Sequence, residues 1–148
     1  MTTSEKKPDL TDPPTPKGKR TRAHLLAAAR RVFSRVGYVT LRMQEVADEA
    51  GMSMGAVYRY FRSKDDMFLA LIGDIHQDLF HASRSPNVKF GVEPYAALLA
   101  ANEGYFNLYH ANRDVMRAFI EATTVNTVYR DMWWWMRERH IERFVAML

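Results

Sequence analysis

The chain has 148 residues, of which 47% are hydrophobic and 26% are charged, a composition ordinary for one or two small globular domains. It contains no cysteine, which excludes disulfides and thiolate metal sites. No apolar run approaches the roughly 20 residues of a membrane span. Residues 1–19 also lack the apolar segment of a secretory signal. We therefore expect a cytoplasmic protein that does not act in a membrane.

Positive charge is concentrated in the first half of the chain. Residues 1–64 hold 13 Lys and Arg against 6 Asp and Glu, whereas residues 65–148 hold 8 against 11. A basic N-terminal half suits a polyanion such as nucleic acid. A solvated basic face on an unrelated protein would give the same counts, so charge alone leaves both interpretations open.

The first predicted helix follows a segment that is too polar to fold. Residues 1–19 are rich in Pro and Lys and almost without apolar side chains, so we expect a disordered basic arm. From near Arg20, apolar residues recur at steps of three and four as far as Val36, which predicts a helix. Gly37 is typical of the left-handed residue that ends a helix.

Three further helices are predicted from short apolar stripes and capping residues. Gly51 interrupts the first stripe, and Ser53 is a candidate N-cap for the helix that follows. Ser63 is a candidate cap for a longer helix that carries apolar residues at steps of four through Leu79. The stripe before Gly51 consists of Met43, Val46, Ala47 and Ala50.

The second half of the sequence is also predicted to be helical. Pro94 suits the first turn of one helix, Asn112 is a candidate cap for the next, and a last pattern begins near Asn126. No segment shows strand periodicity and no internal repeat is present, so the predicted fold is all-α. The pattern reaches Leu148 without a stop signal, so we expect a truncated second domain or a differently built dimer.

The spacing of Ala47, Gly51 and Val57 fits a helix-turn-helix. Ala47 is small enough for two helices to cross closely, and Gly51 tolerates the positive φ of the turn. Val57 can press the second helix against the first. Such a corner also occurs in helical bundles that bind no DNA, so the spacing alone leaves the function open.

The wider segment, roughly residues 21–80, resembles the TetR family of bacterial regulators. The resemblance implies a three-helix DNA-binding head at residues 20–66, with a helix-turn-helix from about Arg42 to Phe61. It further implies a helical ligand-binding and dimerisation domain at residues 67–148, incomplete at its C-terminus. The matching residues are Ala28, Ala29, Phe33, Gly37, Tyr38, Met43, Val46, Ala47, Ala50, Gly51, Met52, Ser53, Gly55, Val57, Tyr58, Arg59, Tyr60, Phe61, Ser63 and Lys64.

The resemblance also implies which residues contact DNA. The recognition helix would run from about Met54 to Phe61, with its N-terminal end in the major groove. Lys64 and the free amides beside it would grip a phosphate. Many relatives have lysine at Met54 and threonine at Leu41. Base reading here would instead lean on Arg59, on Ser53, or on apolar contact of Met54 or Ala56 with a thymine methyl. The implied DNA-binding residues are Arg42, Ser53, Met54, Gly55, Ala56, Tyr58, Arg59, Tyr60 and Lys64.

The second half is rich in aromatic and methionine residues, which suits a pocket for an apolar or aromatic effector. The same stripes are also typical of an ordinary core. Residues 133–135 are three consecutive tryptophans that span about 200° of a helix, so at least one must point away from the core. The candidate ligand-binding residues are Asn102, Tyr105, Phe106, Tyr109, Met116, Phe119, Met132, Trp135 and Met136, with weaker polar candidates at His110 and Arg117.

The sequence therefore predicts a homodimeric, ligand-released repressor that binds a palindromic double-stranded operator and needs no cofactor. A helical partner-binding protein without sequence-specific DNA binding is the alternative. An enzyme is disfavoured, because none of the five histidines belongs to a metal or triad pattern. A membrane-surface protein is disfavoured because the second half is net acidic.

Overall fold

A computed structural model describes residues 13, 15–84 and 89–147. Within them the chain forms only α-helices, which confirms the predicted all-α class. Most of the predicted disordered arm, residues 1–12 and 14, lies outside the described residues, as does Leu148. The helices are α1 (Pro16–Thr40), α2 (Met43–Ala50), α3 (Met54–Tyr60), α4 (Lys64–Ala82), α5 (Pro94–Ala111), α6 (Arg113–Val125) and α7 (Thr127–Met147).

Helix α1 begins four residues before the predicted start. Pro16 occupies its first turn, and the Thr15 hydroxyl accepts a hydrogen bond from the Gly18 amide at 3.1 Å. Residues 16–19, expected in the disordered arm, are therefore helical. A proline with a preset φ and a capping threonine begin a helix even where no apolar side chain is available.

The apolar face of α1 is the centre of the core. Helices α2, α4 and α6 all pack against it, and α7 packs on α4 and α6. The ring of Phe33 stacks on that of Phe68 from α4 with centroids 4.2 Å apart. The residues of this face that are buried are Leu25, Leu26, Ala28, Ala29, Val32 and Phe33.

Helix α1 breaks at Gly37, as the sequence indicated. Gly37 has φ 81° and ψ −173°, and three more residues follow before the helix ends at Thr40. The break turns the next two amides outward, and the Glu121 carboxylate of α6 accepts from both, at 3.1 Å from Tyr38 N and 3.1 Å from Val39 N. We call residues 37–41 the Gly37 corner.

A single carboxylate oxygen joins α1, α4 and α7. The Tyr38 hydroxyl donates to Asp65 Oδ1 at 2.5 Å, and the Tyr129 hydroxyl donates to the same oxygen at 2.7 Å. Burial and the neighbouring Asp65 raise the pKa of both tyrosines. Tyr129 is fully buried, so this network fixes the position of α7 against the N-terminal helices.

Helices α4 to α7 form the second layer, and α5 covers α4. Pro94 lies in the first turn of α5, as predicted. Asn112 occupies the N-cap position of α6, but its side chain forms no capping bond. Its amide instead donates to Leu108 O at 2.8 Å, because the carbonyls at the end of α5 lie within its reach. No helix among the described residues is long and apolar enough to cross a membrane.

Substitution of Gly37 by alanine tests the corner. We expect Gly37→Ala to lower the free energy of unfolding by about 1–3 kcal/mol, because φ is positive and the new Cβ would meet the Glu121 carboxylate. Gly73→Ala in α4 is the matched control, since a Cβ there meets nothing within 4 Å and should stabilise the helix by about 0.5–1 kcal/mol. Urea denaturation measures both, and equal stabilities would contradict the strained corner.

Removal of the Tyr129 hydroxyl tests the carboxylate network. We expect Tyr129→Phe to lower the free energy of unfolding at pH 8 by about 1.5–3 kcal/mol, because the hydroxyl donates to a charged group. The folded pKa of Tyr129 is raised above its unfolded value, so its contribution is complete below pH 10 and is lost as pH rises above 10.

The difference in the free energy of unfolding between wild type and Tyr129→Phe should therefore decrease by about 1.4 kcal/mol between pH 9 and pH 11. The control is Tyr95→Phe, at a side chain that is 79% exposed, which should match wild type at pH 8. A gap that is constant with pH would show that Tyr129 is not held protonated by the network.

Candidate nucleic-acid interface and cavity

The turn between α2 and α3 has the predicted left-handed glycine. Gly51 has φ 66° and ψ 34°. The amide of Met52 donates to Ala47 O at 2.9 Å and that of Gly51 to Asp48 O at 3.2 Å. These bonds satisfy carbonyls at the end of α2 and hold α3 at a fixed angle to it.

Ser53 caps α3, as predicted, by accepting a hydrogen bond from the Ala56 amide at 3.2 Å. The helix ends at Tyr60, one residue before the predicted end, and Phe61 is its C-cap. Val57 and Ala47 are both fully buried and α3 packs on α2, as the spacing indicated. The outer side of α3 consequently faces solvent.

The predicted DNA-binding residues divide into two groups by exposure. Met54 and Tyr60 are half-buried and pack against the core, so each also stabilises the head. Ala56 and Lys64 are half-buried as well. The exposed members are Arg42, Ser53, Gly55, Tyr58 and Arg59.

Lys64 has a structural role that the sequence did not reveal. Its ammonium donates to Tyr38 O at 2.8 Å and to Val39 O at 3.3 Å, and it lies 4.6 Å from the centroid of the Tyr38 ring. Ser63 caps α4 by accepting from the Asp66 amide at 3.1 Å, as predicted. The side chain expected to reach a phosphate is thus folded back onto the Gly37 corner, with two of its three donors in use.

A cavity of about 440 Å³ lies between α4, α5, α6 and α7. Its volume is within the range of pockets that hold small molecules. It brings together seven of the nine candidate ligand-binding residues, without testing whether they bind anything. These seven are Asn102, Tyr105, Phe106, Tyr109, Met116, Phe119 and Met136.

The other two candidates, Met132 and Trp135, do not line the cavity. Met132 packs against the core, and Trp135 is 39% exposed. Among the three consecutive tryptophans, Trp133 lines the cavity while Trp134 is also exposed, so they do point in different directions. His110 and Arg117 do not belong to the lining either.

Sequence reasoning missed two histidines at the cavity wall, His76 of α4 and His140 of α7. His76 follows buried Ile75 on the inner face of α4, and His140 lies four residues after buried Met136. A histidine on an apolar face with helical spacing was the signal available, although such a residue is more often a partnered core histidine.

Comparison with known proteins agrees with this architecture. Residues 25–71 match the family model of the bacterial regulatory proteins of the tetR family. The regulator TtgR of Pseudomonas putida is 30% identical over 78 residues, which cover 53% of this chain and 37% of TtgR. EthR of Mycolicibacterium smegmatis is 23% identical over 142 residues, covering 90% of this chain and 65% of EthR.

A solved TetR-like regulator from Rhodococcus sp. RHA1 superposes with a TM-score of 0.70 at 25% identity, covering 86% of this chain and 68% of that one. Residues 25–71 are therefore similar to the helix-turn-helix head of the TetR family, and the helices that follow are similar in fold to those of a solved TetR-like regulator. The chain spans between about a third and two thirds of the length of these curated relatives.

The position of Lys64 leads to a stability prediction. We expect Lys64→Met to lower the free energy of unfolding by about 1–2 kcal/mol without DNA, because two carbonyls of the Gly37 corner lose their donor. Lys89→Met, at an exposed lysine before α5, is the control and should change stability by no more than about 0.5 kcal/mol. Equal urea midpoints for the two variants would mean that Lys64 is an ordinary surface lysine.

Proposed function

We propose that the chain acts as a sequence-specific DNA-binding transcription regulator, with α3 as the recognition helix in the major groove. The observation that carries this proposal is the two-sided character of α3. Val57 and Phe61 are buried on one side, while Ser53, Gly55, Tyr58 and Arg59 are exposed on the other. The helix is rigidly mounted, and its free side carries hydrogen-bonding groups.

The chemistry of the free side suits base edges and phosphates. Ser53 and Gly55 are small, so the N-terminal end of α3 can approach the groove floor closely. Arg59 has the planar guanidinium that bonds guanine with two parallel hydrogen bonds. Arg42 at the N-cap of α2 and Tyr58 on α3 are proposed phosphate contacts. Lys64 is proposed to add its remaining donor to a phosphate.

The regulator is proposed to be a homodimeric repressor of a palindromic operator in the cytoplasm. Two heads would occupy successive major grooves about 34 Å apart. An aromatic effector in the cavity would release the operator by favouring a different head spacing. Helix α6 supports this coupling, because Phe119 and Ile120 line the cavity and the next residue, Glu121, holds the Gly37 corner. A ligand shifts such an equilibrium only by its differential affinity for the two states.

Selection of genomic DNA fragments by the purified protein tests the proposal. We expect a short palindrome to be enriched, and Arg59→Ala to weaken binding to it by about 1–3 kcal/mol with relaxed preference at one base pair. The control is Arg130→Ala, which removes the same charge from an exposed position of α7 and should retain full binding.

The salt dependence of DNA binding also distinguishes a DNA-binding regulator from the partner-binding alternative. The logarithm of the wild-type affinity should fall steeply with the logarithm of salt concentration, by about 0.9 per phosphate contact. If no sequence is enriched, or if Arg59→Ala and Arg130→Ala behave alike, α3 is not a recognition helix and the partner-binding alternative is favoured.

A further inference from the structure

Two histidines form one polar end of a cavity whose lining is mostly apolar. The rings of His76 and His140 lie 5.4 Å apart, and both line the cavity wall. His76 is only 3% exposed. In each ring Nε2 is buried and has no hydrogen-bond partner within the described part of the chain. A buried unpaired nitrogen is unfavourable, so a polar group of a bound ligand would be stabilised here.

The hydrogen bond at the other ring nitrogen fixes the tautomer of His140. Its Nδ1 lies 3.1 Å from Met136 O. A carbonyl oxygen only accepts hydrogen bonds, so Nδ1 must carry the hydrogen. In a neutral imidazole the second nitrogen is then unprotonated. His140 Nε2 therefore carries a lone pair, not an N–H.

The surroundings favour the neutral form of both imidazoles. Burial lowers the pKa of His76 to about 4, and His140 and Arg139 act in the same direction. Burial also lowers the pKa of His140, opposed by the Met136 carbonyl and reinforced by Arg143 and Arg139. The residues of α6 at the cavity are apolar. The titratable and charged groups around the pair are Tyr105 and Tyr109 of α5 and Arg137, Arg139 and Arg143 of α7.

This arrangement disfavours a cation, since the only charged side chain in the described lining is that of Arg137. No Asp or Glu belongs to the described lining, so a cation would lack a counter-charge. A carboxylate beside His140 would set its oxygen lone pairs against the lone pair of Nε2. A metal ion is disfavoured as well, because the described residues offer the pair no third His, Asp or Glu ligand. A hydroxyl group can donate to the unpaired lone pair of His140 Nε2.

We propose that the cavity binds a neutral aromatic compound whose hydroxyl group donates a hydrogen bond to His140 Nε2, with His76 at the same polar end. This deepens the effector part of the proposed function and rests on it. The rings of Phe106, Phe119 and Trp133 enclose the apolar body of the ligand. The single hydroxyl then distinguishes the ligand from a hydrocarbon of the same shape.

Equilibrium dialysis of three probes with the same body tests this inference: naphthalene, 2-naphthol and 2-naphthoate, with the full chain at pH 7.5 and no DNA. We expect 2-naphthol to bind about tenfold more tightly than either of the others. In His140→Phe this preference should fall to about twofold or less, because the acceptor is lost while a ring is kept. The control is His81→Phe, at an exposed position of α4 outside the cavity, which should keep the preference.

A pH series on the unmodified protein gives an independent result, even if His140→Phe fails to fold. We expect the affinity for 2-naphthol to change by less than about twofold from pH 8 to pH 7, since burial lowers the pKa of both imidazoles from the ordinary value of about 6.5. An imidazolium site for anions would instead bind 2-naphthoate more tightly on acidification, by up to about tenfold per pH unit.

The inference is overturned by equal affinity for 2-naphthol and naphthalene, by tighter binding of 2-naphthoate, or by no binding of any probe to the folded protein. Because no DNA is present, its failure is distinct from that of the proposed function. If the protein shows no preference for the hydroxyl group but still binds DNA through Arg59, only the proposed ligand class is wrong. If it binds the probes as expected but binds no DNA, only the proposed function as a DNA-binding regulator is wrong.

Discussion

The polar contacts around the Gly37 corner fix the positions of α4 and α6 relative to α1. A helix that breaks at a positive φ exposes two amides and two carbonyls, and each buried polar group needs a partner. Glu121 of α6 binds the amides and Lys64 of α4 binds the carbonyls. The Tyr38 hydroxyl donates a further hydrogen bond to Asp65 of α4. The contacts of Tyr38 are partly buried, so a shift of α4 or α6 that broke them would cost free energy, whereas the exposed groups of Val39 can bind water instead.

This arrangement explains why α3 has one fixed orientation in the head. Apolar packing of Val57 and Phe61 is non-directional and would tolerate small sliding of the helices. The hydrogen bonds of Gly51, Ser53 and the corner are directional, so they select one orientation. The short α3, from Met54 to Tyr60, owes its position to these flanking bonds, because a helix of its length is not stable alone.

The features that sequence analysis predicted are those set by residues close together in the chain. Gly51, Ser53 and Pro94 act on backbone groups within a few positions, and their roles were confirmed. The partner of Lys64 lies 25–26 positions away and that of Glu121 lies 82–83 positions away. No local pattern carries such pairs, so Lys64 was expected to reach outward to DNA rather than inward to the corner.

The cavity shows the same division between local pattern and tertiary packing. Helical spacing placed most aromatic candidates on common faces, but the rotation of α7 about its axis is set by the contact of Tyr129 with Asp65. With Tyr129 inward, Trp133, Met136 and His140 follow at steps of three and four. Trp135 then falls outside the lining, as the structure shows, and a histidine takes the inner face.

One helix therefore connects the two candidate sites. Phe119 and Ile120 of α6 face the cavity, while the Glu121 side chain leaves the same turn to hold the amides after Gly37. A ligand that displaced α6 by even part of an ångström would weaken two directional hydrogen bonds at the corner, whereas apolar contacts would adjust. Since the corner precedes α2 directly, such a change would reach the helix-turn-helix without passing through a flexible linker.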